Sequence, residues 1–200
     1  RVWYFRYPQD GLVTMTHDED WFGDESRFVI EAESASGYNS TFFIIAKGPI
    51  TSTGLKAIGN LGGDIHIHWN REMKRWLLIF RRGDGSLEAQ IRELKHKMGD
   101  GADVSLCRIE RLRWGNDYAR PFRVLEAQRI KLDSTLGSAG MTGKGYMYGT
   151  GLPYHPVDTN GKPFSLYELP FQIQARYSGI NSTYIRELLS ESRTCYHEVI

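Results

Sequence analysis

Two hundred residues suffice for one ordinary domain with its own buried core, and 25 basic against 24 acidic side chains leave none of the positive field that nucleic-acid binding needs. No apolar run approaches the roughly 20 residues of a membrane-spanning helix. Two cysteines, Cys107 and Cys195, far apart in sequence, leave the redox compartment and the localisation open.

In chain order, Arg1 to Gln9 is aromatic and extended. Leu12 to Thr16 is a short apolar strand candidate, and Asp18, Glu19 and Asp20 follow it, closed by Trp21. Asp24 to Ser36 carries Phe28, Ala32 and Ala35 at helical spacing before Gly37. Thr41 to Ala46 is a continuous apolar run, as in a strand covered on both faces. Thr53 to Leu61 is a helix stopped by Gly62 and Gly63, and Asp64 to His68 a third strand. Met73 to Phe80 is ambiguous. Leu87, Ile91, Leu94 and Met98 step by four, three and four behind Ser86, an N-cap residue, and mark the clearest helix. Val104 to Arg108, Arg129 to Asp133 and Leu169 to Ala175 read as further strands. A long glycine-rich loop, Gly137 to Lys162, precedes the last of these. Ile185, Leu188 and Leu189 mark a helix, and Thr194 to His197 a seventh strand. Alternating strands and helices predict a parallel sheet, and polar residues at strand C-termini predict a barrel of the TIM kind. The abrupt ends suggest a single domain, residues 1–200, cut from a longer chain.

Carboxylates packed as tightly as Asp18, Glu19 and Asp20 repel one another unless a cation or an arginine offsets them. His66 and His68, at i and i+2 of one strand, share a face, and with Glu72 they offer nitrogen and oxygen donors of the kind zinc, manganese or iron accepts. The same His-x-His-x3-Glu spacing occurs in cupins, but the helix at Leu87 to Met98 speaks against an all-β barrel. Arg108 or Arg113, the latter beside Trp114, could hold a catalytic carboxylate through a bidentate contact. Asp133 is either an Asx turn or a site residue, and His197 is placed where a general acid could sit.

Several segments resemble polysaccharide deacetylases of the NodB-homology type, the family 4 carbohydrate esterases. These are THDED at Thr16 to Asp20, GGDIHIH at Gly62 to His68, RIERLRW at Arg108 to Trp114, LDSTLG at Leu132 to Gly137, GYMYGTGLPYHP at Gly145 to Pro156 and LYELPFQI at Leu166 to Ile173. Each is weak alone, and their order is the stronger signal. The resemblance implies a deformed seven-stranded (β/α) barrel and metal-dependent removal of N-acetyl groups from a carbohydrate or polysaccharide. That would put the protein outside the cell, in the periplasm or at the cell surface. It also implies Asp18 as catalytic base, Asp20 and His68 as ligands of a divalent metal such as zinc, Arg113 or Arg108 as the group orienting the base, and His197 as general acid. Trp69, Trp114, Asp133, Tyr146, Tyr148 and Tyr154 would contact the sugar. The pattern breaks at Glu72 and Glu110, where related chains carry histidine, so the third ligand is open among His66, Glu72 and Glu110. The alternative is a degenerate, metal-free barrel that binds sugar without cutting it.

Overall fold

The structure is a computed structural model that describes residues 14–19, 23–70, 86–99, 101–110, 116–137, 151–173 and 181–198. Two compact units divide the chain. The larger comprises residues 15–136 and 152–170, and the smaller residues 1–14, 137–151 and 171–200.

The larger unit is an α/β sheet. Its strands are β1 (Thr16–Glu19), β2 (Thr41–Ile44), β3 (Asp64–Trp69), β4 (Leu106–Ile109), β5 (Leu132–Asp133) and β6 (Tyr167–Glu168), all parallel and paired in chain order. Between them run α1 (Asp24–Ala35), α2 (Ser52–Asn60), α3 (Leu87–Met98) and α4 (Ala119–Ala127). Crossovers of one hand between successive neighbours keep the helices on one face of such a sheet. The apolar side chains of that face, Phe42, Ile44, Ile65, Ile67, Trp69, Cys107 and Ile109, join Leu55, Ile58, Leu87 and Leu94 of α2 and α3 in the core. Strand alternation then turns Thr16, Asp18, Phe43, His66, His68 and Arg108 to the opposite face.

Local chemistry explains the element ends. Ser86 caps α3 by accepting from the Ala89 N–H at 3.2 Å, and Thr51 does the same for α2 through Gly54. Lys95, His96 and Lys97 occupy the last turn of α3, where the helix dipole favours cations, and Lys97 Nζ also donates to the carbonyls of Gly48 and Ile50. Gly63, just before β3, has no room for a side chain, because an added Cβ would lie 2.5 Å from Ile58 Cγ2 and 2.9 Å from Phe42 Cε2. Both neighbours are fully packed, so Gly63→Ala is expected to destabilise the fold by about 1–3 kcal/mol in urea denaturation. A loss below the error of the measurement would show that this corner of the core can give.

Several sequence expectations change. The strand expected at Leu12 to Thr16 runs instead over Thr16–Glu19, so Asp18 and Glu19 lie within it rather than beyond its end. The strand expected at Leu169 to Ala175 is two residues long and lies earlier, at Tyr167–Glu168; in the smaller unit, Gly137 and Phe171 form an isolated parallel bridge. The seventh strand expected at Thr194 to His197 is the end of a helix, α5 (Ser182–Glu198), whose apolar residues continue the 3.6-residue period. His197 therefore stands on a helix. Among the described residues, six strands pair and β1 and β6 are the two ends of the sheet. The all-β cupin alternative is incompatible with this alternation of strands and helices.

Candidate functional site

The polar face of the sheet is organised by one arginine. Arg108, on β4, is about 5% exposed, and its guanidinium is fully engaged in the geometry a planar fork permits. Nη1 donates to Asp18 Oδ1 at 2.9 Å, Nη2 to Thr16 Oγ1 at 2.9 Å and to Ser134 Oγ at 3.0 Å, and Nε to the Ser134 carbonyl at 2.8 Å. The guanidinium carbon also lies 4.4 Å from the centroid of the Phe43 ring, close enough for a cation–π contact. Arg108 thus reaches across β3 and β2 to β1 on one side and to the segment after β5 on the other. Asp18 differs from its partner in being open, with 34% of its side chain exposed. A carboxylate held in one direction by a buried cation while one side faces solvent can accept a proton from water or bind a ligand.

Asp18 and Glu19 do not act as a unit. Alternation along β1 sends Asp18 to this face and Glu19 to the helical side, where Glu19 accepts from the Ser26 hydroxyl of α1 at 2.8 Å. His17, on that same side, ties the strand to α1. Its Nε2 lies 2.9 Å from Glu33, whose other oxygen accepts from the Ser40 hydroxyl, and its ring stacks on Phe42. Asp20 lies outside the described residues.

The two histidines of β3 do share a face, yet they differ. His66 is closed off, with Nε2 2.7 Å from the Asp64 carboxylate and Nδ1 accepting from the Leu106 N–H at 3.4 Å. Burial pushes its pKa below the ordinary value, against the pull of Asp64, which fits a neutral ring donating through Nε2. Both nitrogens are thus engaged within the protein, and His66 ties β3 to β4. We expect His66→Ala to cost about 1–3 kcal/mol in thermal or urea unfolding, through a cavity and an orphaned Leu106 amide. His68 stands in register with Arg108 and is buried at 4% exposure, on the same face as Asp18. Glu110 is half-buried just past β4. Among the described residues, no group of three His, Cys, Asp or Glu side chains has the geometry to hold a metal ion. Glu72, like Asp20, lies outside the described residues.

The aromatic and remaining expectations divide similarly. Trp69 packs in the core on the helical face and cannot stack on a sugar, because strand alternation places it opposite His68. Asp133 is fully buried and presents nothing to solvent, so it is no substrate contact. Tyr154 is exposed and its backbone pairs with Glu168. Arg113, Trp114, Tyr146 and Tyr148 lie outside the described residues, as do the side chains of residues 191–198, which include His197. Sequence reading missed Thr16, Ser134 and Glu168. Ser134 and Thr16 flank residues that were singled out. Glu168 carried its own signal: a carboxylate inside the apolar LYELP segment.

No protein-family model matches the chain, and no curated protein matches it. Among solved structures it is similar to a family 4 carbohydrate esterase from Streptomyces lividans in complex with acetate, at 16% identity and a TM-score of 0.46. The similarity covers 62% of this chain and 62% of the length of that esterase.

Proposed function

We propose that this protein is a metal-dependent hydrolase that removes N-acetyl groups from a carbohydrate or polysaccharide, with Asp18 as the base and Arg108 as the residue that positions it. The observation that carries the reading is the buried Arg108 fork, which fixes a partly exposed carboxylate at the polar face of a parallel sheet. The motif order from THDED through LDSTLG to LYELP supports the same reaction class. Sequential parallel pairing supports closure of the sheet into a deformed seven-stranded barrel, with this face as its interior.

In this reading Asp18 takes the proton from the water that attacks the acetamide carbonyl. His197 is the proposed donor to the departing amine, and Trp114, Tyr146, Tyr148 and Tyr154 are the proposed sugar contacts. A divalent ion, zinc by donor type, would be held by Asp20 and His68 with Glu72 or Glu110, and would supply polarisation of the carbonyl. We expect protein equilibrated with zinc to carry a stoichiometric amount, His68→Ala to lose it and His66→Ala to keep it, as read by elemental analysis. Zinc-free parent protein that releases no acetate from acetylated chitooligosaccharides or cell-wall glycans would overturn the hydrolase. The second reading, a non-catalytic carbohydrate-binding barrel, is favoured by one observation: Asp64 and Leu106 occupy both nitrogens of His66, which takes one donor out of the set.

A further inference from the structure

On the helical face of the sheet, within a row of apolar side chains, sit two carboxyl groups with no solvent at all. Asp133 on β5 and Glu168 on β6 are register partners, and both are 0% exposed. Each uses one oxygen in an ordinary way. Asp133 Oδ1 accepts from the Thr135 hydroxyl at 2.8 Å, and Glu168 Oε1 accepts from the Leu136 N–H at 2.9 Å. The second oxygens, Asp133 Oδ2 and Glu168 Oε2, are buried and find no donor among the described residues. The two side chains stand beside each other as register partners on adjacent strands and act on each other directly. Two ionised carboxylates cannot satisfy one another, since neither has a hydrogen to give. One proton satisfies both oxygens at once.

We infer that Asp133 and Glu168 hold a single proton between them at neutral pH, and that this shared proton is a pH-sensitive latch fastening β5 to β6.

Among the described residues little could replace it. Cys107, the β4 register partner of Asp133, is buried, and both burial and the neighbouring carboxyls push its thiol well above the ordinary range, so it brings no charge. Arg108, from β4, is a cation acting on the pair, and its guanidinium is turned to the opposite face, to Asp18, Thr16 and Ser134. Thr135 and Leu136, following β5, contribute neutral donors. His155, on the segment antiparallel to β6, lies against Tyr167 and bonds the Leu166 carbonyl instead of facing the pair. Burial raises both carboxyls, Asp133 to about 6 and Glu168 well above the usual range.

Raised values in the fold mean that the native state keeps a proton the unfolded chain has released. The latch is therefore complete at acidic pH and is lost as pH rises through the folded values. Above about 6, where Asp133 is ionised and Glu168 is not, the folding equilibrium should fall about tenfold per pH unit until the last proton leaves. Glu168→Gln supplies a permanent NH2 donor to Asp133 Oδ2 and keeps an oxygen for Leu136.

Two measurements test this. Difference infrared spectra of the parent protein at neutral pH should contain the carbonyl stretch of a protonated carboxylic acid, shifted in heavy water and absent from Glu168→Gln. Urea unfolding across neutral to alkaline pH should show the tenfold-per-unit loss in the parent and a flatter profile in Glu168→Gln. Asp133→Asn, which donates from the other side, should also lose the infrared band, and it carries the comparison where Glu168→Gln does not fold. A parent spectrum without the band, or variants that keep the band, would overturn the inference. None of these outcomes depends on whether the protein is a hydrolase.

Discussion

Asp18→Asn should lose acetate release by about a hundredfold to ten-thousandfold, the usual weight of a general base, and should do so without unfolding. Asparagine has the shape of aspartate, and its amide oxygen can still accept from Arg108 Nη1, so the fork and its other three hydrogen bonds are retained. What it loses is the ability to take a proton. Because 34% of the Asp18 side chain is exposed, solvent limits the cost of leaving the buried Arg108 charge without its counter-ion. The measurement is initial-rate hydrolysis of an acetylated oligosaccharide, with urea unfolding and zinc content run on the same preparations. A variant that turns over at the parent rate removes Asp18 from the chemistry. One that loses zinc as well as activity makes it a ligand instead of a base.

The second large effect is on the fold itself. Arg108→Ala withdraws four hydrogen bonds from one buried place and leaves the Ser134 carbonyl and hydroxyl, the Thr16 hydroxyl and one face of Phe43 without their partner. Breaking a buried charged network usually costs about 3–5 kcal/mol, and the partial exposure of Asp18 argues for the lower end. Arg108→Lys should recover only part of that. A single ammonium on a flexible stem cannot span β1 and the segment after β5 in the plane that the guanidinium occupies. Urea midpoints for the two variants give the answer directly. An alanine variant within about 0.5 kcal/mol of the parent would mean that the network contributes specificity and little stability.

What could be read in advance follows from how local each signal is. The helix Leu87–Met98 was legible to the residue, because its apolar spacing, its Ser86 cap and its basic last turn all lie within one short stretch. The strand at Thr41 was legible from a continuous β-branched and aromatic run, and the one at Asp64 from its alternation of isoleucine and histidine. Ala119–Ala127 was not read as a helix: Pro121 in its first turn breaks the sequence pattern, although a proline there sacrifices no intrahelical hydrogen bond. Strands of two residues, β5 and β6, are too short to show any period. The pairing of an arginine with Asp18 was anticipated from chemistry, but nothing local distinguishes Arg108 from Arg113. The split between Asp18 and Glu19 could be inferred only once β1 was known to include both. The engagement of His66 by Leu106, and of Asp133 by Glu168, depends on sheet register and has no local trace.

The order of the strands also bears on how the protein is made. Each strand pairs with its successor, so a nascent chain leaving the ribosome can lay down the sheet one neighbour at a time, without holding an exposed edge open for a distant segment. The contact between Arg108 and Asp18 bridges 90 residues, and it can form only after the first four strands have emerged. Synthesis therefore lays down the first three strands before Arg108 can reach Asp18, and a product ending before residue 108 would lack that contact.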